Sequence, residues 1–272
     1  MVKKLLKHEF MYYIRILGIG MPIFLLVAGL TRLWREIYFE NYLVKIAQSL
    51  SVGTFYLACY ALIGMTFVIS IVRFYKNLYS SEGYLTFALP VTTAQHLFVK
   101  LFVALVCMFA VSLTVAIGYA IVLLDSQGIE ILTLMFEDIK LAITQSGLSY
   151  GHVIAYCGEG VIAFLLLPIV GLLTYYSCIT IGQTWKINRI LASYLTFLIF
   201  SAAMSIIETI AYLIFVFALV CGALDGVGAF IAQHPIFSCH AGFIFVILFE
   251  IGAVVLLWFL NHRIMSKKLN LE

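Results

Sequence analysis

The chain has 272 residues, of which 64% are hydrophobic and 11% are charged, and its mean hydropathy is +1.11. Soluble globular proteins contain about 45–50% apolar and about 25% charged residues, and a soluble fold of this length cannot hide such an apolar surplus from water. The composition therefore excludes a soluble globular protein and predicts an all-α integral membrane protein. The formal net charge is only +3, and its basic residues are spread over separate short segments, so no nucleic-acid partner is predicted.

Six stretches are apolar enough to cross a bilayer as α-helices, which takes about 20 residues at a rise of about 1.5 Å each. The first follows a basic N-terminal segment without a small-residue cleavage site, so we expect it to be retained as a span and not removed as a signal peptide. No linker separates the six, which predicts a single transmembrane domain over residues 1–272. The predicted spans are residues 16–33, 52–72, 97–124, 153–181, 190–221 and 241–260.

Lysine and arginine are distributed unequally between the two sides that six spans define. Twelve of the sixteen basic residues lie on the side of both termini, and four lie on the other side, which collects most of the acidic residues. Because short cytoplasmic segments carry an excess of lysine and arginine, both termini are predicted to be cytoplasmic. The four exceptions are Arg32, Arg35, Lys45 and Lys140.

Three connecting segments on the predicted outer side differ in character. Residues 34–51 and 125–151 are polar, and the second includes a short amphipathic piece around residues 129–143. Residues 222–240 are glycine-rich and largely apolar, which predicts a short helix or a re-entrant segment before the sixth span. The six cysteines show neither a disulfide framework nor zinc spacing, although Cys221 and Cys239 lie near one membrane face and either pair or remain free thiols.

The segment that joins spans two and three reads RFYKNLYSSEGYLTFALPVTTAQHLFVK over residues 73–100. Ser80 is a good N-cap residue, and Pro90 forces a helix to stop, which predicts an aromatic-rich helix of about two turns. Thr92 and Gln95 have the spacing of a capping box, which starts the third span as a separate helix. The short helix either rests among lipid headgroups or docks on a soluble partner.

Over essentially its whole length the chain resembles the membrane subunits of ABC-2 type (type V) ABC transporters. The resemblance is carried by the basic N-terminal helix, the six spans, the R-F-Y-K-N-L-x-x-x-E-G-Y-L-x-F-x-L-P-V loop and the apolar segment before span six. In that family the helix after span two is the coupling helix that docks on the ATPase subunit, and the N-terminal segment, here residues 2–13, is an interfacial elbow helix. The resemblance assigns the coupling role to Glu82, Gly83, Tyr84, Leu85, Phe87 and Leu89.

The resemblance implies a subunit of a bacterial cell-membrane exporter that does no covalent chemistry itself. It would act with a second permease, identical or a sister chain, and with ABC ATPase subunits that bind ATP and magnesium. The sequence contains no GxxxxGK[ST] phosphate loop, so the energy for such a pump is expected to come from another polypeptide. We therefore expect a transport subunit and not an enzyme.

Three carboxylates, Glu159, Glu208 and Glu250, fall within predicted spans or at their edge. Because a charge at the middle of a bilayer costs about 2.5–3.5 kcal/mol on insertion scales, the two central ones, Glu208 and Glu250, should face protein or a wet cavity. Each either lies on a transport path or holds helices together, and the resemblance favours the path for Glu208. The alternative function is an ion-coupled secondary transporter or channel that uses Glu208 and Glu250. The histidines show no metal-binding spacing, so no metal site is predicted.

Overall fold

A computed structural model describes residues 2–36, 41–80, 83, 90–124, 126–185 and 188–267. In this part of the chain the regular elements are helices, as the sequence predicts. Eight of them are α1 Val2–Arg35, α2 Tyr42–Tyr79, α3 Thr93–Leu123, α4 Ser126–Gln145, α5 Tyr150–Gly182, α6 Arg189–Val220, α7 Asp225–Gln233 and α8 Pro235–Lys267.

Six of these helices, α1, α2, α3, α5, α6 and α8, are long and apolar enough to cross a membrane. Four of them contain a predicted span in full, and α3 and α6 each end one residue before the predicted span does. Most of the helices extend beyond the predicted spans at one or both ends, because they continue past the apolar stretches into their flanks. The prediction of an all-α membrane protein with six transmembrane helices is confirmed. The short helix expected before the sixth span is also present, as α7 with nine residues.

The ends of the helices differ from the expected boundaries in two places. Residues 2–13, expected as a separate interfacial helix, are the first three turns of α1, which runs without a break into the first span. Glu9 and Tyr13 are each only 2% exposed, so this segment packs against protein. In addition, α2 begins at Tyr42, where the Asn41 side chain accepts a hydrogen bond from the Leu43 amide. The segment 34–51, expected as a loop, is therefore partly helical.

The chain divides into two compact units, Met1–Gly147 and Leu148–Glu272. The expectation that the whole chain acts as one transmembrane domain stays a prediction, and each unit is described by itself. Unit 1 contains α1 to α4, and unit 2 contains α5 to α8.

In unit 1, α1 is antiparallel to α2 and parallel to α3. The Thr31 hydroxyl lies 3.3 Å from the Ser51 carbonyl oxygen, while Arg32 donates to the carbonyl of Ile121 at 3.0 Å. Midway along the helices, the rings of Phe24 and Phe55 stack with centroids 5.6 Å apart. Gly118 on α3 makes room for them, because a Cβ atom there would lie 2.4 Å from the Phe24 ring.

The C-terminus of α3 is capped by two arginines that the charge count places on the outer side. Arg32 bonds to the Ile121 carbonyl at 3.0 Å and Arg35 to the Val122 carbonyl at 2.8 Å. The last carbonyls of a helix lack intrahelical partners and carry partial negative charge, which a guanidinium neutralises. These two exceptions to the distribution of basic residues therefore have a structural role within unit 1.

In unit 2, α5 and α8 run parallel and pack along their length. Tyr156 and Phe243 have ring centroids 6.2 Å apart near the N-termini of the two helices, and Thr180 bonds to Asn261 at 3.0 Å near their C-termini. The next helix, α6, approaches α5 closely where the chain turns back: a Cβ atom on Gly182 would lie 2.5 Å from the Ser193 backbone.

Candidate functional site

Among the described residues of unit 1, the most deeply buried charge is the carboxylate of Glu9, which is 2% exposed. Its Oε1 atom accepts hydrogen bonds from Lys100 Nζ at 3.1 Å and from Asn77 Nδ2 at 2.6 Å. Its Oε2 atom accepts from Arg73 Nε at 3.3 Å. We call these four residues the Glu9 cluster. A single side chain of α1 thus binds both α2 and α3.

The electrostatics of the Glu9 cluster follow from its burial. Lys100 is 5% exposed and Arg73 is 19% exposed, so water screens their attraction to Glu9 far less than it would at a surface. The Arg73 guanidinium also lies 4.3 Å from the ring centroid of Tyr12, a favourable cation–π distance. Because two cations surround one carboxylate, loss of that carboxylate would leave two neighbouring positive charges in a buried site.

Helical spacing brings these side chains to one place. Arg73 and Asn77 are one turn apart on α2, so both point to the same neighbour. Glu9 shares a face of α1 with Tyr13 and Leu17, which are both buried. On α3, Lys100 follows His96 by one turn, and His96 is fully buried. Each helix therefore contributes a polar group from a buried face.

The Glu9 cluster lies at the base of the segment between α2 and α3. Asn77 is two residues before the end of α2, and Lys100 is in the second turn of α3. The capping box predicted at the start of α3 is confirmed: Gln95 N bonds to Thr92 Oγ1 at 3.3 Å, and Thr92 N bonds to the Gln95 side chain at 3.1 Å. Both ends of the 80–92 segment are therefore fixed to the same three-helix frame.

Most of the predicted coupling residues lie outside the described part of the chain. These are Glu82, Tyr84, Leu85, Phe87 and Leu89. Gly83 is described and buried, and its amide donates to the Ser80 carbonyl at 2.8 Å. Ser80 has an extended backbone that ends α2, so the chain turns immediately after this helix, where the sequence places a new N-cap.

Glu9 was not singled out by the sequence analysis, although it carries the cluster. The basic residues around it, at positions 3, 4 and 7, make the segment resemble a surface helix with ordinary charges. A usable signal is the position of Glu9 four residues before Tyr13 and eight before Leu17, on an apolar stripe of α1. A lone acid on such a stripe needs buried basic partners.

In unit 2 the two carboxylates predicted near mid-membrane have different surroundings. Glu208 is exposed on α6. Glu250 is 7% exposed and lies on the buried stripe of α8 with Leu257, Asn261 and Met265. Its Oε2 atom has no hydrogen-bond partner among the described residues. The structure therefore does not bring Glu208 and Glu250 into one described site.

The C-terminal end of the α5–α8 pair is held by an uncharged polar cluster. Asn261 is fully buried; its Oδ1 accepts from Thr180 Oγ1 at 3.0 Å, and its Nδ2 donates to Ser177 Oγ at 2.7 Å. The same amide also reaches the Leu257 carbonyl at 2.9 Å. We call Asn261, Thr180 and Ser177 the Asn261 cluster.

The N-terminal end of the same pair carries a chain of titratable side chains. Glu159 Oε1 lies 2.8 Å from His240 Nδ1, and His240 Nε2 lies 3.1 Å from His152 Nδ1. The sequence places Glu159 within a predicted span or at its edge and does not connect it with either histidine. No group of three or more residues able to hold a metal ion occurs among the residues with described positions.

Comparison of the sequence with protein-family models and with curated proteins, and of the fold with solved structures, gave no match. Cys221 and Cys239, for which a pairing was left open, are both free and exposed thiols in the structure. A function is therefore inferred from the residues themselves and from the resemblance of the loop between α2 and α3.

Proposed function

We propose that this protein is the membrane-spanning subunit of an ATP-driven exporter of the ABC-2 type in a bacterial cell membrane. The 81–89 segment would dock on a separate ABC ATPase, which binds ATP and magnesium, and a second permease would complete the transport path. The N-terminus of α1 and the C-terminus of α8 would face the cytoplasm, in agreement with the distribution of lysine and arginine.

The Glu9 cluster is the observation that carries this proposal. A partner that pushes on residues 81–89 acts on the end of α2 and the start of α3. Because Glu9 binds Asn77, Arg73 and Lys100 together, such a force reaches α1, α2 and α3 as one body. Burying charged side chains is costly because they lose their hydration. A loop that only rested among lipid headgroups would not require the buried charges of the Glu9 cluster next to it.

The transport path itself is assigned to the surface that carries Glu208. This side chain is exposed on α6, so it is available to a substrate or to a neighbouring subunit. A carboxylate in this position favours cationic or amphiphilic cargo over anionic cargo.

The direct test of the coupling role is the double variant Tyr84→Ala/Phe87→Ala in the full-length protein. Aromatic interface residues commonly contribute about 2 kcal/mol or more each, so we expect the double variant to lower ATPase affinity about a thousandfold. The matched control is Phe136→Ala/Tyr150→Ala, which removes two exposed aromatics of the other predicted side. Normal copurification of an ATPase with the first variant would instead place the segment among lipid headgroups.

The proposed orientation has its own test on a cysteine-free background. Lys76 is exposed at the end of α2, and Leu134 is 55% exposed on α4. Single cysteines at positions 76 and 134 should react with an impermeant thiol reagent from opposite sides of the membrane. Reaction of both from the same side contradicts the six-span orientation.

A second candidate function is an ion-coupled transporter or channel, and the observation that favours it is Glu250. A buried carboxylate oxygen without a described partner is suited to bind and release a proton or a cation. In proteoliposomes without any ATPase, this function requires transport driven by an ion gradient and lost in Glu250→Gln. The ABC-2 proposal expects no such transport.

A further inference from the structure

The arrangement of Glu159, His240 and His152 determines how many protons these side chains can share. We call these residues the His240 triad. All three lie in the α5–α8 pair of unit 2, and Glu159 and His240 are 19% and 21% exposed. In the described structure the carboxylate and the two rings form a continuous line from the partly buried Glu159 through His240 to His152.

The two rings point their nitrogens directly at each other. The facing nitrogens are 3.1 Å apart and the ring centroids are 5.3 Å apart, which is the separation that an in-line N–H···N hydrogen bond produces. Two histidines that bind one metal ion instead direct their lone pairs at a common point beside the line that joins the nitrogens. The geometry therefore favours a shared proton over a shared metal ion.

Counting protons gives the capacity of the triad. When Glu159 is ionised, His240 Nδ1–H donates to it, and His240 Nε2 accepts from His152 Nδ1–H. The remaining lone pair is on His152 Nε2, which takes up one further proton and leaves every hydrogen bond in place. While Glu159 stays ionised, a second further proton must go to His240 Nε2, where it would face the N–H group of His152. The triad thus accommodates one extra proton and resists a second.

The groups around the triad favour the state with one extra proton, in which one ring is positively charged. The Tyr156 ring lies 4.3 Å from the His240 ring, centroid to centroid, so its π-face is next to the ring that joins the charged His152 to Glu159. Glu159 Oε2 is buried and has no hydrogen-bond partner in the described part of unit 2. The described hydrogen bond of this carboxylate is therefore the one between its Oε1 atom and His240. Further titratable groups on the neighbouring elements are Cys157 on α5, Cys239 on α8, Asp225 on α7, His234 before α8 and Cys221 after α6.

We propose that Glu159, His240 and His152 form a proton-binding site that holds one exchangeable proton between α5 and α8. The proton enters from water at His152, and Glu159 supplies the compensating negative charge. Occupancy strengthens the pairing of α5 and α8 at this end, because a positive charge on His152 strengthens the hydrogen bond that its Nδ1–H group donates to His240. Entry of a second proton breaks the contact between the two rings. The site is independent of how the exporter is driven.

The experiment is nitrogen NMR of the full-length protein labelled with ¹⁵N-histidine in lipid nanodiscs, recorded from pH 8 to pH 4.5. His152→Gln and His240→Gln assign the signals. The matched control is His234→Gln, at the same end of unit 2, whose ring contacts Phe230 and not the triad. At pH 8 we expect His240 to carry its proton on Nδ1, and on acidification we expect the pair to charge in two separate steps.

Two substitutions of Glu159 separate the proposed role from simple packing. Glu159→Leu removes the acceptor, so the proton of His240 should move from Nδ1 to Nε2, the tautomer that free imidazole side chains favour. Glu159→Gln retains a carbonyl acceptor and should retain the Nδ1 tautomer. A His240 tautomer that Glu159→Leu leaves unchanged would overturn the proposal. So would simultaneous charging of both histidines in the wild-type protein, a result that requires no variant to fold.

Discussion

The two parallel helix pairs of this protein are each tied together by one central polar side chain, but with opposite chemistry. In unit 1, Glu9 of α1 accepts from Lys100 of α3 and from two residues of α2. In unit 2, Asn261 of α8 donates to Ser177 and accepts from Thr180 on α5. One unit uses a buried charge and the other a neutral amide.

The difference predicts which of the two clusters tolerates the loss of its central residue. Ser177 already bonds to the Leu173 carbonyl of its own helix at 2.8 Å, so it keeps a partner without Asn261. Lys100 and Arg73 would instead lose the negative charge of Glu9, to which both are bonded. The Glu9 cluster joins the helices at the two ends of the proposed coupling segment. A rigid connection there would transmit the motion of an ATPase to these helices. The neutral cluster lies in the unit that carries Glu208 and Glu250.

The largest effect is expected from Glu9→Ala. Removing one partner of a buried charge pair costs about 3–5 kcal/mol, because the remaining charges stay buried. The measurement is unfolding of the purified protein in detergent. The control is Glu36→Ala, which breaks an exposed pair with Arg32, with side chains 54% and 35% exposed, and should change stability by about 1 kcal/mol or less.

A double variant sharpens this prediction. Glu9→Leu/Lys100→Met removes a negative and a positive charge together, and replacement of a buried pair by apolar residues is often close to neutral. We expect it to recover much of the stability that Glu9→Ala loses. If the double variant is as unstable as the single one, packing at position 9 and not charge is what holds α1, α2 and α3 together.

Unit 2 should depend more on close approach of helices than on charge. A Cβ atom on Gly182 would lie 2.5 Å from the Cα and N atoms of Ser193, and a backbone cannot move aside as a side chain can. Gly182→Ala should therefore cost about 1–3 kcal/mol, the usual range for overpacking. Gly171→Ala is the control on the same helix, since its Cβ would meet nothing within 4 Å. Equal effects would contradict the close contact of α5 and α6.

A smaller loss is expected for Asn261→Leu. Hydrogen bonds between membrane helices contribute about 0.6 kcal/mol on average, and Ser177 keeps its own backbone acceptor, so we expect about 1 kcal/mol in the same unfolding assay. A loss as large as that of Glu9→Ala would remove the distinction between the charged and the neutral cluster.

The sequence predicts the helices well because apolar stretches and a capping box are local signals. Thr92 and Gln95 are three residues apart, and their reciprocal bonds follow from that spacing. The Glu9 cluster and the His240 triad join residues 64 to 91 positions apart, and hydropathy does not show which faces of two helices meet. Continuity of α1 through residues 2–13 was also missed, because its polar side resembles that of an interfacial helix.

The smallest effect on stability is expected at Glu208. Substitutions there should change function much more than they change stability. The side chain is exposed on α6, and surface substitutions usually change stability by about 0.5 kcal/mol or less, so Glu208→Gln and Glu208→Leu should both unfold like the wild type. Glutamine keeps the size and hydrogen bonding of glutamate without its charge. If Glu208 lies on the transport path, both variants should reduce substrate-stimulated ATP hydrolysis in the reconstituted complex. Glu250→Gln is the comparison in the buried stripe, where a change in melting temperature is expected as well. Loss of stability without loss of activity in Glu208→Leu would make Glu208 a contact between helices or subunits and remove it from the path.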